Sequence, residues 1–160
     1  MAWGFFNFFI LTKQFQFTFF AKQEAALVFA CLSDMPWFCK VHPLMMSIER
    51  VEGNTYKIRE RLKWRFLPFS FTYTFDLFLN EEKSEVRFEA TIQKFTRMVL
   101  SFSMVPSEGG TLVQEEVNLR SPFPIHGFME SLMQEQHRIL FQQIEKQTYR
   151  DRPGFVDGGN

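Results

Sequence analysis

Phe69–Leu79 reads FSFTYTFDLFL. Phe69, Phe71, Tyr73, Phe75, Leu77 and Leu79 fall on one side of an extended chain, and Ser70, Thr72, Thr74 and Asp76 on the other. A period of two is the signature of a β-strand with one dry and one wet face. The dry face of such a sheet has to be covered by something else in the molecule.

The same pattern extends in both directions. Upstream, Thr55–Leu62 sets Tyr56, Ile58, Glu60 and Leu62 against Lys57, Arg59 and Arg61, and Gly53–Asn54 turns it back onto Met45–Glu52. Downstream, Asn80–Ser84 leads into Glu85–Ile92, where Val86, Phe88, Ala90 and Ile92 alternate with polar residues. Thr96–Val105 offers Met98, Leu100, Phe102 and Met104 as its inner set. After a turn at Ser107–Gly110, Thr111–Ser121 offers Val113, Val117 and Leu119, with Glu115 among them. These are six consecutive strands joined by hairpins, which rules out a βαβ order. A further strand, Thr12–Phe19, precedes them with Phe15, Phe17 and Phe19 on one side. Lys22–Cys31 and Met35–Val41 read as short helices, the second stopped by Pro43.

The cover is the last element. From about Ile125 to Tyr149, Phe128, Met129, Leu132, Met133, Leu140, Ile144 and Thr148 recur at helical spacing. The spacing makes it the one helix long enough to cover the sheet. The expected fold is therefore α+β, a curved antiparallel sheet of about seven strands in the order β-α-α-β6-α around a long C-terminal helix. The 160 residues suit a single domain, with a core at about 10–149, an apolar lead-in at 1–9 and a loose tail at 150–160.

That order resembles the START-related helix-grip superfamily (SRPBCC), especially its polyketide cyclase/dehydrase-like members. The resemblance is carried by ALVFACLSD at Ala26–Asp34, Trp37, His42–Pro43, SIERV at Ser47–Val51, Gly110–Thr111 and the long closing helix. It covers about residues 10–147 and contains no catalytic motif. It implies a hydrophobic cavity between sheet and helix, of the kind that binds lipids, sterols or polyketides, with enzymes among the members.

Composition points the same way. The chain has 22 Phe and eight Met, more apolar material than a minimal core uses. Burying one such side chain contributes roughly 1.5–3 kcal/mol. Basic and acidic residues balance at 18 each, which argues against a nucleic-acid surface. The uncharged stretch Met1–Leu11 is too short to span a bilayer and lacks the basic region of a secretory signal. Cys31 and Cys39 lack metal-ligand spacing and suit two thiols in a reducing cytoplasm. The sequence thus implies no cofactor and no transmembrane segment.

Antiparallel pairing sorts the connections to two ends. Gly53–Asn54, Asn80–Ser84 and Ser107–Gly110 share one end and are polar. The other end collects Leu44, Trp64, Phe66, Leu67, Phe95, Phe123 and Pro124. Loops are normally polar, so an apolar set at one end suggests a gate for an apolar ligand. His42, Trp64, Phe66, Phe95, Phe123 and His126 are the expected entrance. The expected cavity wall is Tyr56, Ile58, Glu60, Leu62, Phe71, Tyr73, Phe75, Phe88, Met98, Leu100, Phe102 and Glu115 from the sheet. The helix adds Phe128, Met129, Leu132 and Met133.

The expected function is binding or transport of a hydrophobic small molecule, without assigned catalytic residues. A cyclase or dehydratase in the same cavity is the alternative, with Glu60, Glu115, Tyr73 or His126 as acid/base groups. A protein-interaction module using the aromatic loops is another, and the same patch could join two copies as a homodimer. His126 and His137 share a helical face but lie roughly 16 Å apart, too far to hold one metal.

Overall fold

A computed structural model describes residues 9–64 and 67–146, with only the backbone at Lys63, Trp64 and Leu67. The elements run β1 (Leu11–Ala21), α1 (Ala25–Ser33), α2 (Met35–Val41), β2 (Met45–Glu52), β3 (Thr55–Trp64), β4 (Leu67–Asn80), β5 (Glu85–Ile92), β6 (Thr96–Ser107), β7 (Gly110–Ser121) and α3 (His126–Lys146). All seven strands join one antiparallel sheet in the order β1-β7-β6-β5-β4-β3-β2. Residues 1–8 of the expected lead-in at 1–9, the helix end after Lys146 and the tail lie outside the described residues.

Alternation decides the inner face. In β7, Val113, Glu115, Val117 and Leu119 are all buried, while Gln114, Glu116 and Arg120 are exposed. In β1 only Phe15 and Ala21 are fully buried, with Phe17 and Phe19 half-covered as befits an edge strand. At the ends of β4 the alternation stops predicting burial. Leu79 and Phe69 are exposed there because the sheet outruns its cover. Phe78, on the outer face, lies under the Arg87 guanidinium at 4.8 Å.

The first helix begins at Ala25 instead of Lys22, because the preceding residues are held by distant partners. The Lys22 N–H donates to Glu145 and the Gln23 carbonyl accepts from the Thr111 hydroxyl. Asp34 separates α1 from α2, its carboxylate accepting from the Trp37 N–H at 3.0 Å, a cap typical of a helix N-terminus.

The expectation that the last helix alone covers the sheet is corrected. α1 packs against β5, β6, β7 and α2, while α2 packs against β2 and α3. Val28, Leu32, Met35, Phe38 and Val41 are all buried. α1 closes the interior beside the polar turns, and α2 runs on toward the cavity, which Phe38 lines. α3 itself runs alongside β1 in the same direction. His126 meets Leu11, Lys13 pairs with Glu130, Phe19 stacks on Phe141, and Gln23 reaches Ile144.

Candidate functional site

A cavity of about 90 Å³ lies between the first half of α3 and the concave face of the sheet. β3 lines it with Ile58, Glu60 and Leu62, and β4 with Phe71, Tyr73 and Phe75. β5 adds Phe88, Ala90 and Ile92, β6 adds Met98 and Leu100, and α3 adds Met129, Leu132, Met133, Gln136 and His137. Most of the strand residues, Glu60, Leu62, Phe71, Tyr73, Ala90, Ile92, Met98 and Leu100, come from the half of their strand nearer the β3–β4 and β5–β6 connections, with Ile58, Phe75 and Phe88 just past the midpoint. The cavity is therefore displaced toward the end with the apolar connections.

Four residues expected on the wall are elsewhere. Tyr56 is half-buried nearer the polar-turn end and stacks on Phe75 at 5.6 Å. Phe102 is wholly buried in packed core, with its ring 5.9 Å from that of Phe141. Glu115 lies beneath the wall, under His137. Phe128 is exposed on α3, one residue out of phase with the buried stripe.

The expected entrance also divides. His42 is buried in the wall itself. His126 is buried too, but its Nε2 is 2.9 Å from the Leu11 carbonyl at the β1 edge, away from the cavity and from the interior acid/base role. Phe95 and Phe123 are exposed, their rings 6.4 Å apart. Phe66 and the Trp64 side chain lie outside the described residues.

Sequence reasoning missed Phe38, Leu44, Met45, Ala90, Ile92, Gln136 and His137 as wall residues. A signal existed for His137, since Met133, His137, Leu140 and Ile144 form one stripe at helical spacing and all are buried.

Burial and neighbouring groups act on the polar side chains of the wall. The Tyr73 hydroxyl donates to Glu60 Oε1 at 3.0 Å. Burial pushes the Glu60 carboxyl above the usual carboxylate range, partly offset by the Tyr73 hydrogen bond and by His137. Burial, reinforced by Glu60, keeps the Tyr73 phenol well above its ordinary value, so it remains a donor. Burial, and secondarily His137, holds His42 down at about 3. His42 is thus neutral, and because its Nδ1 accepts from the Leu44 N–H at 3.2 Å, its proton sits on Nε2. His137 Nδ1 lies 2.6 Å from Glu115 Oε1, and both side chains are almost fully buried. Glu115 Oε2 has no hydrogen-bond partner among the described residues.

A curved antiparallel sheet wrapped on a C-terminal helix, with an apolar cavity between them, is the helix-grip fold. Solved structures agree on the fold. A START superfamily protein from Mycobacterium smegmatis superposes with TM-score 0.68 at 14% identity, covering 83% of this chain and 94% of that one. The Zhui aromatase/cyclase from Streptomyces sp. R1128 gives TM-score 0.67 at 11% identity, covering 88% and 95%. Ara h 8.0201 gives 0.63 at 17% identity, covering 85% and 97%. No family model matches the sequence, and no curated protein matches it. At these identities the likeness is one of fold. No helix among the described residues is long and apolar enough to cross a membrane.

Proposed function

We propose that this chain binds a hydrophobic small molecule, lipid, sterol or polyketide-like, in the cavity between the sheet and α3. One observation carries the proposal. The cavity is walled almost wholly by apolar side chains, among them Phe71, Phe75, Phe88, Leu100, Met129 and Met133, with a few polar groups set among them, Glu60, Tyr73, His42 and His137. Ligand pockets commonly measure roughly 300–1,000 Å³, so a guest of that size needs the wall to yield. Met98, Met129 and Met133 supply flexible side chains for this. The fold is shared with an aromatase/cyclase and a START protein, which is consistent with a cavity-based role. Organic extraction of the purified protein followed by mass spectrometry tests it. A co-purifying apolar molecule that is lost on narrowing the cavity with Ala90→Phe supports binding. Repeated extraction of nothing, with no uptake of added apolar dyes, overturns it.

A second reading has its own observation. His137 faces the cavity with Glu115 on its Nδ1, the arrangement of a general base held by a carboxylate. A cyclase or dehydratase would use His137 to take a proton from the guest, with Glu115 as the positioning residue. Incubating the extracted guest with the protein separates the two readings. A dehydrated or cyclised product, absent with His137→Gln, establishes the enzyme, and recovery of unchanged guest excludes it.

A further inference from the structure

The wall of the cavity has polarity without positive charge. Among the described residues no Lys or Arg lines it. An anionic head group entering here would be stripped of water and given no counter-charge, which is costly in an apolar interior. His137 does not supply one, because any charge on its ring is already taken up by Glu115 at 2.6 Å. Glu60 adds repulsion when ionised and a single O–H donor, not a counter-charge, when protonated.

The hydrogen-bonding capacity left over is specific. His42 presents an Nε2–H donor, since its Nδ1 is occupied by the Leu44 N–H. No described residue bonds to that Nε2. His137 has its Nδ1 committed to Glu115, which leaves its Nε2 as the open position. The two rings are 6.0 Å apart and nearly perpendicular. Both rings therefore border the same part of the cavity wall. Beside them, Gln136 Oε1 is a buried acceptor without a partner among the described residues. A hydroxyl both accepts and donates, so it can satisfy His42 and either His137 or Gln136 together. A bare hydrocarbon satisfies neither.

We propose that the guest is an uncharged apolar molecule bearing a hydroxyl group, and that this hydroxyl sits between the His42 and His137 rings. This inference rests on the binding role proposed above and names the class of ligand it serves.

The test uses four probes sharing one ring body: naphthalene, 2-naphthol, 2-naphthoate and 2-naphthylmethylammonium. Binding to the full chain is followed at neutral pH by the fluorescence of the probe. We expect 2-naphthol to bind about tenfold more tightly than naphthalene and roughly a hundredfold more tightly than either ion. His42→Phe, which keeps a ring against Phe38, should bring 2-naphthol to the level of naphthalene. Equal or tighter binding of 2-naphthoate or of the ammonium probe overturns the hydroxyl proposal and leaves the binding role intact. An unchanged preference for 2-naphthol in His42→Phe overturns the placement of the hydroxyl. Binding of none of the four overturns both proposals. The ranking in the unaltered chain decides the ligand class whether or not the variant folds.

Discussion

The two halves of α3 face different interiors. From Met129 to Met133 the helix borders the cavity, and Met129 and Leu132 are only half-buried. From Leu140 to Ile144 it is pressed into solid core, with Leu140 and Ile144 at 0% exposure. The sheet beneath is continuous, so the difference comes from what else is packed inside. α1 fills the end beside the polar turns with Val28 and Leu32, both at 0% exposure. Among the described residues, the opposite end receives the tail of α2 and its connection to β2. The cavity is the unfilled remainder of a sheet that is longer than its stuffing, and His137 stands where the two halves meet.

Breaking that boundary should have the largest effect. His137→Phe leaves the Glu115 carboxylate buried without its partner and should lower unfolding stability by about 3–5 kcal/mol, measured by urea denaturation. Adding Glu115→Gln to His137→Phe should recover much of that loss, since the stranded charge is then gone. No recovery would show that the ring shape, not the charge, holds the boundary. Next comes the contrast between the halves themselves. Leu140→Ala should cost about 3 kcal/mol, whereas Met129→Ala, already bordering a void, should cost about 1 kcal/mol or less. Similar losses in both would erase the distinction between packed and open halves.

Two titrations sharpen the description of the open half. His42 is held at about 3 when folded and returns to 6.5 when unfolded. Below pH 6.5 the unfolded chain therefore takes up a proton that the folded chain refuses. Stability should fall on acidification between those values, by about 1.4 kcal/mol per pH unit, and His42→Phe should remove that share of the slope. Glu60 has the opposite sign, because its folded value is raised above 4.5. Its contribution is lost as pH rises from 4.5 through the folded value. Glu60→Gln keeps an acceptor for Tyr73 and should stabilise the protein at neutral pH, with the gain vanishing below pH 4.5. Thermal melts across pH check both.

Much of this fold was legible because period-two patterning is local. Met45–Glu52 and Glu85–Ile92 begin and end where alternation and turns put them, and α3 begins one residue from its expected start. Glu115 could be assigned to the inner face from Val113 and Val117 alone. Its partner could not be named, because strand alternation says nothing of which helix residue lies above a given position. Two faces can each be correct while their register stays open. α1 hid for a different reason. Its sequence, AALVFACLS, is apolar nearly all round, so no stripe announces which side packs or that it acts as a plug. The apolar connections at one end were readable by counting strand reversals. That a void lay behind them depended on side-chain volumes in three dimensions.

The sheet joins its earliest strand to its latest. β1, Leu11–Ala21, pairs along its whole length with β7, Thr111–Ser121. On a ribosome the first strand emerges long before its neighbour exists. At roughly 5–20 residues per second, the interval is on the order of 5–20 seconds. Throughout it the row Phe15, Phe17 and Phe19 has neither β7 to pair with nor Phe141 to lie against. For that interval nascent chains of this protein carry an aromatic segment without its native cover, a window open to a chaperone that holds extended aromatic stretches.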